Sequence, residues 1–192
     1  MTVKRLKIEA GFILFTAVLV FLDKGGLLWV VWTAALAHEL GHYLALKAFG
    51  GKISGIVLSG GGISMIQSRT PRLSYAGDLL AVLAGPMASL GLALLLALRG
   101  AYLPLAGICL IHGLFNLLPI TGLDGGRALS LIFENAEKFN TGDRILHRLS
   151  VAVLVVLLVL GVWMAAETRG NLSLLLAAGY AAGQRHTTKR TL

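Results

Sequence analysis

The sequence predicts an all-α membrane protein of about six transmembrane helices, with a small membrane-dipping β hairpin between the second and third. Three observations lead there. The 192 residues are 56% hydrophobic and only 14% charged, with a mean hydropathy of +0.80, a make-up far from that of soluble domains. The apolar residues gather into six segments. The one dense group of ionisable residues in an apolar segment, His38-Glu39-Leu40-Gly41-His42, matches a metal-binding motif rather than a solvated face.

The segments run Ile8 to Leu22, Leu27 to Phe49, Leu79 to Leu98, Ala101 to Ile120, Leu149 to Ala166 and Gly170 to Gln184. A full span needs about 20 residues at 1.5 Å rise each. The first and last are shorter and must recruit flanking residues or sit in thinned lipid. Lys4, Arg5 and Lys7 before the first segment resemble the start of a signal peptide. No small-x-small cleavage pattern follows Leu22, so an uncleaved span is expected. Between the second and third segments, the β-branched runs Ile53 to Leu58 and Ile63 to Ile66 flank a glycine cluster, Gly60 to Gly62, which reads as a hairpin too apolar for an ordinary loop. With no repeat or second domain evident, residues 1–192 are expected to form one polytopic domain with its catalytic core at about 27–127.

Charge fixes the expected topology. Six crossings put fourteen Lys and Arg on one side: Lys4, Arg5, Lys7, Lys47, Lys52, Arg69, Arg72, Arg127, Lys138, Arg144, Arg148, Arg185, Lys189 and Arg190. Lys24, Arg99 and Arg169 fall opposite. The richer side is normally cytoplasmic, so both termini are expected there. The net charge of +8 is explained by this bias, and no basic residues alternate with aromatics as a nucleic-acid surface would need. The lone Cys109 can build neither a disulfide framework nor a thiolate cluster.

His38 and His42 stand four apart, on one helix face and one turn from each other, so both imidazoles can reach a single zinc ion. Ionisable groups at bilayer depth cost at least a few kcal/mol each, and a bound metal offsets that cost. Glu39 beside them is placed to take a proton from the attacking water and return it to the leaving amine. Gly41, lacking a side chain, lets a neighbouring helix approach.

A catalytic zinc usually has three protein ligands, and the candidates for the third are Asp124, His112, Asp78 and Glu9. Glu9 and Asp78 fall at segment edges, where interfacial solvation explains them. His112 shares a helical face with Asn116 and suits an interhelical hydrogen bond. Asp124 follows Pro119 and Gly122 and precedes Gly125-Gly126, a stretch that can unwind. Broken backbone at membrane depth is tolerated only beside a protein-buried or watery cavity. By itself Asp-Gly-Gly also reads as a turn with Asp124 capping the next helix; coupled to the histidine helix, the ligand reading is preferred. The small residues from Ala84 to Gly91, with Pro86 freeing a carbonyl one turn earlier, are explained by helix packing and carry no chemistry of their own.

His38-Glu39-x-x-His42, Gly85-Pro86, and Asn116-x-x-Pro119 leading to Leu123-Asp124-Gly125-Gly126, in that order, resemble the site-2 protease family of intramembrane zinc metalloproteases, most of all its stage IV sporulation branch. The resemblance covers roughly Leu27 to Arg127. It implies one Zn2+ held by His38, His42 and Asp124, Glu39 as general base, and Asn116 helping to hold substrate or transition state. It further implies cleavage of membrane-embedded or membrane-tethered proteins in regulated intramembrane proteolysis, in a bacterial inner or cell membrane. The hairpin would serve as an edge for an extended substrate. In one departure, the nearest pattern often has proline where this chain has Gly122, so a looser turn is expected. A metal-binding transporter, or an inactive relative that only binds membrane partners, is the competing class.

Overall fold

The computed structural model describes residues 6–23, 25–59, 62–68, 73–168 and 173–188. Lys4, Arg5, Lys24, Gly60, Gly61, Arg69, Arg72, Arg169, Gly170, Lys189 and Arg190, used above for topology, turn and segment limits, lie outside them. The chain forms two compact units, Met1–Phe115 and Asn116–Leu192.

The first unit begins with a strand, β1 (Leu6–Ile8), followed by α1 (Ala10–Leu22), α2 (Leu27–Ala48), the strands β2 (Ile53–Ser59) and β3 (Gly62–Gln67), α3 (Tyr75–Leu98) and α4 (Leu103–Asn116), whose final residue opens the second unit. The expected hairpin is present, with Ile56 opposite Met65 and Ser59 opposite Gly62. It is not alone. β1 adds to it in parallel, pairing Lys7 with Val57, to make a three-stranded sheet in the order β1-β2-β3. Ile8 is therefore a strand residue, and the first apolar segment yields a helix of 13 residues. Three residues are too short a run to give a local strand signal, and their partner lies some fifty positions away.

Local chemistry sets the helix starts. The Asp23 carboxylate accepts the N–H groups of Leu27 (2.9 Å) and Leu28 (3.0 Å) at the head of α2. The Leu28 N–H foremost, helped by its neighbours, holds the Asp23 carboxyl below its usual range. Ser74 caps α3 by accepting the Gly77 N–H at 3.2 Å. Small residues then bring α2, α3 and α4 together around Ala34, Ala93 and Cys109, all buried.

In the second unit, helix gives way after Asn116 to an irregular stretch through Leu123, and α5 (Asp124–Asn135), α6 (Phe139–Glu167) and α7 (Ser173–Thr188) follow. The fourth apolar segment thus stops being helical four residues before Ile120, where Pro119 and Gly122 predict a break. The fifth is the apolar part of a longer helix. Asp124 is the first residue of α5 rather than its cap, which is Leu123.

Among the described residues, two helices are long and apolar enough to cross a membrane, Tyr75–Leu98 and Asn140–Glu167. Along them Leu94, Leu98, Val155, Val156, Val159 and Trp163 are exposed, a dense apolar exterior suited to acyl chains. Of the six expected spans the other four fall short on this measure. α2 has 22 residues, but His38, Glu39, His42 and Lys47 dilute its apolar character, while α1, α4 and α7 have 13, 14 and 16.

Candidate metal centre

His38 and His42 occupy successive turns of α2 and face α3. The approach is close because Gly41 has no side chain: a Cβ there would meet the Ala84 carbonyl oxygen at 2.5 Å and the Ala88 Cβ at 2.6 Å. Close packing at Gly41 is as expected.

Both rings are held from behind by α3. His42 Nδ1 lies 2.8 Å from the Ala81 carbonyl oxygen. A carbonyl can only accept, so Nδ1 carries the proton and, in the neutral ring, Nε2 presents its lone pair. His38 Nδ1 lies 3.1 Å from Ser89 Oγ, a fully buried hydroxyl able to take the matching proton. The two Nε2 atoms then face each other at 3.1 Å. Two lone pairs that close repel unless a cation sits between them and their common neighbours. Two nitrogens at zinc's usual 2.0 to 2.1 Å in tetrahedral array would stand about 3.3 Å apart. The pair therefore fits a zinc ion, and each ring has the outer hydrogen bond that orients metal-binding imidazoles.

The α3 partners recur every fourth residue, Ala81, Gly85 and Ser89, forming one buried stripe. Gly85 lies between the two hydrogen-bonding positions, and a Cβ added to it would strike the His42 Nε2. Sequence reasoning assigned this stretch to packing alone. The missed signal was a four-residue spacing of glycine and serine matching the spacing of the histidines. The carbonyl that Pro86 deprives of an intrahelical donor is that of Val82, whereas the one His42 uses belongs to the residue before it.

His112 stacks on His38, with ring centroids 4.6 Å apart at 25°. It limits the tilt of that imidazole. Glu9 pairs with Lys7 at 2.9 Å, and Asp78 stands in the first turn of α3. His38 and His42 belong to the first unit, and Asp124 opens α5 in the second. Glu39, half-buried, stands one position after His38 and three before His42, and Asn116 ends α4 directly before the break.

The local reason for Asp124's placement is only partly the one expected. Gly122 has φ +101°, the left-handed region that favours glycine. Gly125 and Gly126 are helical, and their role is clearance: a Cβ would strike the Leu117 and Ile120 carbonyl oxygens respectively, so the irregular stretch lies directly against the first turn of α5. The turn is not a loosened version of a proline-bearing one, because proline is confined to φ near −65° and cannot adopt this backbone. Gly122→Pro, a change towards the pattern of the resembled family, should lower stability by more than about 1 kcal/mol. Thermal unfolding of the detergent-purified variant checks this; an unchanged midpoint would show that the turn accepts a second backbone conformation.

No family model matches the sequence. A zinc metalloprotease of Methanocaldococcus jannaschii is 27% identical over 175 residues, covering 81% of this chain and 50% of that protein. A Synechocystis relative, whose name assigns it provisionally to the same class, is 32% identical over 148 residues, covering 65% of this chain and 38% of its own length. The chain thus spans half or less of the length of these curated relatives. Among solved structures, the Site-2 Protease from Methanocaldococcus jannaschii matches with a TM-score of 0.71 at 23% identity, over 95% of this chain and 89% of that one, and the two share a fold.

Proposed function

We propose that the chain is a zinc-dependent intramembrane endopeptidase of the site-2 protease family, with His38, His42 and Asp124 as metal ligands and Glu39 as general base. The observation that carries this reading is the pair of imidazole nitrogens facing each other at 3.1 Å, each ring held from behind by α3. The shared fold and the named relatives support it.

When bound, zinc would supply a Lewis acid that polarises the scissile carbonyl and makes an attacking water more acidic. The residues of the chain do the rest. Glu39 receives the water's proton and passes it to the leaving nitrogen, which needs a carboxylate that is not itself a ligand. Asn116, at the helix end beside the break, can donate a hydrogen bond to the oxygen on which charge develops. The substrate is a membrane-embedded or membrane-tethered protein whose peptide bond must first leave its helix, since helical hydrogen bonding shields it. The sheet edge would take up such an extended segment.

The finer proposal is a six-crossing arrangement with cytoplasmic termini, supported by the charge bias, and a sporulation-type role in processing a tethered precursor, supported by the short segment plan. The test is to purify the protein in detergent, measure bound zinc, and offer tethered single-span substrates in proteoliposomes. One zinc per chain is expected, with cleavage abolished by a chelator and restored by zinc. Ion flux without cleavage would replace this reading with that of a transporter.

A further inference from the structure

Ser150 lies in the apolar helix α6, and its side chain is fully buried. A serine inside such a helix commonly directs its hydroxyl proton to the carbonyl four residues back, and Ser150 Oγ lies 2.7 Å from the Leu146 carbonyl oxygen. The same oxygen reaches across to the irregular stretch before α5. It accepts the Thr121 backbone N–H at 3.0 Å, lies 3.3 Å from Thr121 Oγ1 and 3.2 Å from the Pro119 carbonyl oxygen. A hydroxyl has one proton and two acceptor sites. Its proton is shared between the Leu146 and Pro119 carbonyls, and its lone pairs serve the Thr121 N–H and hydroxyl.

This contact comes where the backbone most needs it. Non-helical backbone inside hydrocarbon must find partners within the protein, and an unpaired N–H there costs several kcal/mol. Thr121 is bridged to Leu123 across Gly122, and Leu123 leads directly into Asp124. Ile120, beside Thr121, presses its carbonyl against Gly126 in the first turn of α5. Fixing Thr121 therefore fixes the start of α5, three residues from Thr121.

We propose that Ser150 is a positioning residue for the metal centre, clamping the irregular stretch so that the Asp124 carboxylate is presented in a set direction. The proposal rests on the metalloprotease reading, in which Asp124 is a ligand. Ser150 touches neither metal nor substrate; it acts through Thr121.

The test is zinc affinity, measured by chelator competition on full-length protein in detergent, alongside helicity and the thermal midpoint of the metal-free form. Ser150→Ala should weaken zinc binding by about 10-fold, the lower end of what losing a contact to a ligand itself costs, because Ser150 acts on Asp124 through Thr121. Thr121→Val keeps the backbone N–H and should change affinity by no more than about 3-fold, on the same scale. Ser150→Cys, isosteric with a weaker acceptor, should fall between wild type and Ser150→Ala, and supplies the comparison if the alanine variant does not fold. In an Asp124→Ala background, Ser150→Ala should have almost no further effect, since residues acting through one another are non-additive. Wild-type affinity in both Ser150 variants, or an equal loss with and without Asp124, would overturn the positioning role. A wild-type chain that binds no zinc, or an Asp124→Ala variant that binds as tightly as wild type, would overturn the metalloprotease reading instead.

Discussion

Glu39→Gln should leave one zinc per chain and lower peptide hydrolysis by about 10²- to 10⁴-fold, the range ascribed to a positioned acid–base group. The amide matches the carboxylate in shape and hydrogen-bonding reach but cannot accept the water's proton. His38 and His42 keep their contacts with Ser89 and Ala81, neither of which involves Glu39. The loss should fall on kcat, with KM nearly unchanged, because the missing interaction forms as the proton moves. Single-turnover cleavage of a tethered substrate in proteoliposomes, with metal analysis of the same preparation, measures both. Retained cleavage would remove Glu39 from the proton pathway. Loss of zinc along with cleavage would recast it as part of the metal-holding structure.

Gly85→Ala should all but abolish zinc binding, and here two physical effects have opposite signs. By helix propensity alone the change would stabilise α3, since alanine is favoured over glycine by up to about 1 kcal/mol. Packing opposes it more strongly. The new methyl would occupy the space of the His42 ring, and overfilling a tight interior typically costs about 1 to 3 kcal/mol. His42 can yield only by turning away from the Ala81 carbonyl that orients it, which removes Nε2 from its place opposite His38. Zinc affinity should therefore drop by at least about 100-fold, the upper end for a lost orienting contact, while the metal-free protein remains helical. Gly91→Ala on the same helix is the control, since nothing lies within 4 Å of the added atom there; it should bind zinc as wild type does. Equal affinities for the two variants would contradict the packing account.

The parts legible in sequence are those where chemistry and spacing act over one or two helical turns. His38 and His42 share a face because four residues make about one turn, and Gly41 reads as a contact point because it lacks a side chain. The break after Asn116 follows from proline and glycine chemistry, and the strands β2 and β3 from their β-branched runs. Each depends on neighbours along the chain.

What only tertiary structure decided depends on partners distant in sequence. Ala81 and Ser89 became the outer hydrogen-bond partners of the histidines because α2 and α3 pack with Gly41 against Ala84 and Gly85 against His42, and the four-residue spacing around Ser89 acquires that meaning only once α2 lies beside it. β1 is a strand because β2 lies beside it. Gly125 and Gly126 look like turn formers and are instead helical residues that make room for the carbonyls of Leu117 and Ile120. Ser150 meets Thr121 across 29 positions. Local sequence encodes backbone preference and the chemistry a side chain can perform, whereas the choice of partner for a buried polar group is settled by which surfaces exclude solvent together, and that emerges only once the helices have packed.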